Sequence, residues 1–86
     1  MKVLEKQLKA LANRRRLEIL SHLKRHSKSP VGQVAKEIKL SFKATSKHLG
    51  ILKAADIIDR EQVSLQMYYS LNQPQSTIIK SVLNVL

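Results

Sequence analysis

Cysteine and tryptophan are absent from these 86 residues, which hold only two glycines, two prolines, three aromatic residues and six carboxylates. Each shortage excludes something. Without cysteine the chain has no disulfide, thiolate metal ligand or sulfur nucleophile. The two glycines, Gly32 and Gly50, stand alone, so no glycine-rich loop can cradle a phosphate. So few aromatic rings leave no stacking platform of the kind that single-strand RNA readers use. Six carboxylates and three histidines form no recognisable catalytic set, and a chain this short has little room for a substrate cleft. No enzyme and no cofactor are expected. No run of about 18 apolar residues exists to cross a membrane. The start, MKVLEKQLKALANRRR, lacks the continuous apolar segment of a secretory signal. A cytoplasmic protein is the expectation, with one small domain spanning residues 1–86.

Positive charge is what the chain has in quantity. The formal net charge is +10 and the pI about 10.3. It is unevenly placed: residues 1–54 hold 14 Lys and Arg against 3 Glu, whereas residues 55–86 hold 2 against 3 acids. Such a patch attracts polyanions and speeds encounter with them. A generally basic, solvated surface is the plainer alternative.

The stretch SFKATSKHLGILKAAD, Ser41 to Asp56, gives that charge a shape. Ser41 is suited to cap a helix start, because its hydroxyl can accept from an unpaired backbone N–H. Thr45, Leu49, Leu52 and Ala55 then recur at helical spacing and predict an inward stripe, flanked by His48 and Ile51. Lys43, Ser46, Lys47, Gly50 and Lys53 lie between them. A helix apolar on one side and rich in Lys and Ser on the other suits the major groove of a duplex. Upstream, Pro30 to Ile38 reads as a short helix with Val31, Val34, Ala35 and Ile38 inward and Ser29 as its cap. Only Lys39 and Leu40 separate the two, so residues 30–55 predict a helix-turn-helix. Lys39 sits in the tight turn and Asp56 ends the second helix, both at positions where left-handed backbone is common.

Around this centre the pattern continues. Lys2 to Ala12 predicts a helix with Val3, Leu4, Leu8 and Leu11 on one face. Arg14 to His26 predicts another, capped by Asn13, with Leu17, Leu20 and Leu23 inward. Arg14, Arg15 and Arg16 crowd its first turn, where cations oppose the helix dipole; a phosphate over that end would offset the cost. Ile57 to Glu61 and Leu65 to Leu71 read as two strands joined near Gln62, Val63 and Ser64. Gln75 to Leu86 predicts a last helix with Ile78, Ile79, Val82, Leu83 and Leu86 along one side, a heavy apolar load for three turns. A stripe of that size marks an interface. With the first helix it predicts a two-fold homodimer built on residues 1–12 and 75–86 through Leu4, Leu8, Ile78, Ile79, Val82, Leu83 and Leu86.

The expected fold is therefore mainly α with a small β-hairpin, in the order α-α-α-α-β-β-α, with residues 57–71 as a wing. This layout resembles the ArsR-type winged helix-turn-helix regulators. The resemblance covers about Leu8 to Leu71 and is carried by LKALANRRRLEIL, VAKEIKLSFKATSKHLGILKAADII and DREQVSLQMYYSL, most specifically by SKHLGILKAADII. It implies a dimeric regulator of transcription that binds double-stranded DNA, with one helix in each of two successive major grooves. By position, Phe42, Lys43, Ser46 and Lys47 would lie at the groove, while Arg60, Gln62 and Ser64 would meet phosphate or the minor groove. Arg14 is the further phosphate candidate. His48 matches the family's histidine and is assigned mainly to positioning and packing, with a phosphate contact as the alternative. Phe42, where the family usually has a polar residue, would touch a thymine methyl or pack on the preceding helix.

Departures from the family bear on what is sensed. The positions where relatives carry metal-binding cysteines are Pro30 and Gly32, and no acidic residue or histidine follows Glu61. Both familiar metal sites are missing, no metal is expected, and no effector is named. His22 and His26 stand four apart on one helix and could chelate an ion, but the sequence offers no third ligand nearby. The reading that emerges is a repressor occupying an inverted-repeat operator in the nucleoid. The competing readings are a non-specific DNA-coating or RNA-binding protein, and a winged helix that binds only other proteins.

Overall fold

A computed structural model describes all 86 residues as five helices and a three-stranded antiparallel sheet. Helix α1 (Lys2–Leu11) leads into α2 (Arg14–Arg25), the short strand β1 (Ser29–Pro30), α3 (Val31–Ile38) and α4 (Phe42–Ala54). Strands β2 (Ile58–Val63) and β3 (Gln66–Leu71) form a hairpin, and α5 (Thr77–Asn84) ends the chain. This is the winged helix-turn-helix. No helix is long and apolar enough to cross a membrane.

Local chemistry sets most boundaries. The Asn13 side chain accepts from the Arg16 N–H at 3.1 Å to start α2, and the Ser41 hydroxyl accepts from Ala44 N–H at 3.1 Å to start α4. Such caps satisfy backbone donors that the helix itself cannot. The α3–α4 turn is made by Lys39 in left-handed backbone, φ 57° and ψ 51°, and Asp56 closes α4 with φ 58°. In the hairpin Val63 pairs with Gln66, so Ser64 and Leu65 form a two-residue turn, Ser64 taking φ 59°. The α3 boundary differs from the sequence expectation. Ser29 does not cap it: Pro30 holds the cap position without a side-chain bond, and Ser29 pairs with Tyr69 of β3. A two-residue strand has no periodicity to betray it, and a proline is tolerated there because the strand lies at the sheet edge.

The core gathers around α2, whose Ile19, Leu20 and Leu23 are buried among Val34 and Ile38 of α3, Leu49 and Leu52 of α4, and Ile57, Ile58 and Tyr69 of the wing root. Thr45 and Ala55 complete the inward stripe of α4 as predicted. Two corrections concern the terminal helices. The buried face of α1 is Gln7, Ala10 and Leu11, whereas Val3, Leu4 and Leu8 stay exposed. Gln7 replaces the expected apolar contact with hydrogen bonds: its Nε2–H donates to the Ala55 carbonyl and its Oε1 accepts from the Ser76 hydroxyl, both at 3.1 Å. In α5, Ile79 and Leu83 are 2% and 6% exposed within the single chain. They fill its own core and are not free to meet a partner, because α5 packs back on α2. Ile78, Val82 and Leu86 are half-buried beside them.

Candidate nucleic-acid interface

The outer face of α4 is built by the same residues that bury its inner one. With Thr45, Leu49 and Leu52 inward, Lys43 and Lys47 lie in solvent and Ser46 is half-buried between them. No acid occurs from Leu40 to Ala55. Lys36, Lys39, Lys43 and Lys47 are exposed and enter none of the chain's five ion pairs. Phe42, 62% exposed, stands at the start of α4 on a shallow groove that it shares with Val31, Gly32, Leu65 and Met67. It therefore borders both the helix-turn-helix and the wing tip.

Elsewhere the positive charge divides into cations that hold the fold and cations left outward. Arg16 donates from Nε to the Ala10 carbonyl at 2.6 Å and from Nη2 to that of Lys9 at 3.4 Å, at the end of α1. Arg15 donates to the Ile38 carbonyl at 2.7 Å, at the end of α3, and Lys24 to the Leu83 carbonyl at 2.7 Å, at the end of α5. Three cations of α2 thus sit on terminal carbonyls at the negative dipole ends of three other helices. This offsets the cost of an arginine-rich first turn without any phosphate. Arg14 differs: its guanidinium lies 3.8 Å from Glu18 with the side chain 81% exposed. Of the arginine triplet only Arg14 remains available, edging the polar groove between α2 and α3 with Lys39.

In the wing, Arg60, Gln62 and Ser64 are exposed. Arg60 and Gln62 lie two apart on β2 and so point to one face of the hairpin. Lys28 donates to Glu61 at 2.8 Å and fastens that strand to the connector after α2. The pair holds the Lys28 pKa above its ordinary value, chiefly through the hydrogen bond and then the charge of Glu61.

His48 is half-buried, with Nδ1 3.2 Å from Nη1 of Arg16. A guanidinium can only donate, so Nδ1 must be the unprotonated nitrogen and Nε2 carries the hydrogen. Burial, then the charges of Arg16, Lys47 and Arg15, push its pKa below the usual histidine value of 6.5. The unfolded chain therefore takes up the proton first as pH falls, and the stability due to neutral His48 is complete above about pH 6.5 and lost below it. Thermal unfolding midpoints should decline between pH 7 and pH 5, and His48→Gln should flatten that decline; an equal slope in both proteins would refute this. His22 shifts in the same direction, mainly through burial and next through His26, and accounts for part of the slope that remains.

Of the histidine pair four apart at the end of α2, His22 is buried at 1% exposed while His26 stays in solvent. The capping roles of Arg15, Arg16 and Lys24, and the polar link through Gln7, carry no sequence signal beyond residue type. Their partners lie 6 to 69 positions away.

The chain has clear counterparts in sequence and fold. Residues 13–60 match the model of the bacterial regulatory protein family arsR. The transcriptional repressor PagR of Bacillus anthracis is 32% identical over 77 residues, covering 90% of this chain and 77% of that protein. The transcriptional activator HlyU of Vibrio cholerae is 34% identical over 79 residues, 92% of this chain and 69% of that protein. The solved structure of reduced HlyU superposes with a TM-score of 0.83 at 30% identity, over 99% of this chain and 85% of that one. The homodimeric winged helix-turn-helix DNA-binding domain Mb0332 of Mycobacterium bovis shares the fold, with a TM-score of 0.83 at 23% identity over 98% and 74% of the two chains. The match across the helix-turn-helix, the overlap with two relatives over nine-tenths of the sequence and the common winged fold lead to one assignment: this chain belongs to the arsR family of bacterial regulatory proteins.

Proposed function

We propose that this protein is a homodimeric transcriptional regulator that reads double-stranded DNA with α4 and represses by occupying an inverted-repeat operator. The observation that carries the reading is the acid-free outer face of α4, where Lys43 and Lys47 are left unpaired while Arg15, Arg16 and Lys24 of α2 are spent on helix ends. A surface needed only for protein contacts would have no use for that division. Ser46 and Lys47 then face base edges, Phe42 and Lys43 flank them, and Arg14, Arg60, Gln62 and Ser64 engage the phosphate backbone. His48, held by Arg16, positions the helix and keeps Nε2–H as a spare donor. In the proposed dimer, two recognition helices about one DNA turn apart call for a palindromic site. The relatives include one named as a repressor and one named as an activator, so repression rests on the simplest use of operator occupancy.

The test is binding to a labelled duplex taken from upstream of the protein's own gene, against a scrambled duplex, at two salt concentrations. A preference of about a thousandfold or more near physiological salt supports a specific operator reader. Equal affinity that collapses with salt moves the DNA-coating or RNA-binding reading ahead. Lys47→Ala or Ser46→Ala should cut the preference by roughly ten- to a hundredfold, as expected for a lost base contact. Arg14→Ala or Arg60→Ala should weaken both duplexes alike and lower the salt slope by about one. Equal loss on both duplexes for Lys47→Ala would remove that residue from the groove.

A further inference from the structure

We propose that His22, His26 and Glu37 form a binding site for a divalent first-row transition cation of the class that Zn2+ represents, joining the end of α2 to α3. The site lies apart from Pro30, Gly32 and the last helix, the positions at which the family resemblance looks for metal ligands. It is independent of the DNA-binding proposal.

The two histidines come from the last turn and the cap of α2, with ring centroids 4.6 Å apart and planes tilted by 32°. Glu37 reaches them from α3, and one ligand atom from each of the three lies within 4.8 Å of the others. Zinc bonds of about 2.1 Å place tetrahedral ligand atoms roughly 3.4 Å apart. The contraction is about 1.4 Å, and His26 and Glu37 are both exposed side chains. Two imidazole nitrogens and one carboxylate suit zinc, cobalt, nickel or copper better than magnesium or calcium, which prefer oxygen.

The second observation is an orphan. His22 is 1% exposed, and its Nε2 lies 2.8 Å from the Ser29 hydroxyl. Its other nitrogen, Nδ1, is buried without any hydrogen-bond partner. A buried polar atom left unpaired is costly and calls for an explanation. With Nε2–H donating to Ser29, Nδ1 presents a lone pair, and Ser29 fixes both tautomer and ring orientation, as outer partners of metal-binding histidines do.

Arg25 is the competitor. It donates to Glu37 at 3.2 Å but also to the Ser21 hydroxyl at 2.8 Å. That second bond keeps it placed when Glu37 turns away, and an ion pair this exposed contributes little. The consequence of occupancy follows from connectivity: Glu37 precedes the α3–α4 turn, and Ser29 pairs with Tyr69 at the wing root. A cation there would tie α2 to both halves of the motif.

The test is calorimetric titration of the untagged full-length chain with Zn2+ alone, alongside thermal unfolding with and without the ion. One equivalent should bind with Kd below about 10 µM and raise the unfolding midpoint. His26→Gln and Glu37→Gln, both at exposed positions that should leave the fold intact, should each weaken binding by about ten- to a hundredfold. Long-range proton–nitrogen spectra should show the His22 Nδ1 resonance moving on addition of Zn2+ while the Nε2 proton is retained. Binding weaker than about a millimolar, unchanged affinity in both variants, or an unmoved His22 Nδ1 would each overturn the site.

Discussion

Leu4→Asp combined with Leu8→Asp should give a folded monomer whose affinity for an inverted-repeat operator falls by roughly a hundred- to ten-thousandfold. The size follows from bivalency, since a linked second half-site binds at high effective concentration and that gain vanishes with the dimer. Leu4 and Leu8 are 42% and 45% exposed in the single chain, so charging them removes little of its own core. Leu4 also lines, with Val3, Ile78 and Ser81, a groove between α1 and α5. That groove is the apolar surface we propose a second copy covers, because burying large exposed side chains is favourable and two-fold contacts pair like with like. The pair Val82→Asp and Leu83→Asp would not be a clean test, since Leu83 lies in the core and its loss would unfold the chain. Light scattering and circular dichroism decide the matter. A dimeric mass for the doubly charged variant would exclude α1 from the interface, and an unfolded one would show that α1 depends on assembly.

The other large effect is on stability. Leu49→Ala should lower the unfolding midpoint by about 10 to 25 °C at neutral pH. Leu49 is 0% exposed and packs in the cluster that joins α4 to α2. Truncating a buried leucine costs about 2–5 kcal/mol through lost transfer energy and the residual cavity. In a domain of this size each kcal/mol moves the midpoint by about 4–8 °C, and the total stability is only about 4–13 kcal/mol. Calorimetry of the variant checks this; a shift under about 5 °C would mean that the core closes around the gap. Operator binding by the surviving folded fraction should keep its salt dependence, because no exposed cation of α4 is touched.

Much of the fold was legible because its determinants are local. The 3.6-residue recurrence of Thr45, Leu49 and Leu52, the caps at Asn13 and Ser41, and the left-handed turns at Lys39 and Asp56 all lie within a few residues of what they specify. The two wing strands were legible too, though their limits shifted by a residue or two, as the Ser64–Leu65 turn carries no glycine to mark it, while the short β1 was not. Within the candidate site, the outward placement of Lys43 and Lys47 followed from the same periodicity. Which arginine of the triplet would be free did not. Arg14, Arg15 and Arg16 are identical in the sequence, yet the carbonyl ends of α1 and α3 claim two of them and leave the third.

Sequence alone thus determined the helices, the inner and outer faces of α3 and α4 and the excess of positive charge, because hydrogen-bonding and hydrophobic period act over short range. Tertiary structure alone decided the destinations of side chains. It sent Ile79 and Leu83 into the chain's own core, turned Leu4 and Leu8 outward, put three cations of α2 on three helix ends and set Glu37 beside His22, 15 positions away. Those outcomes depend on which helix ends meet in space, and no spacing within a single helix records that.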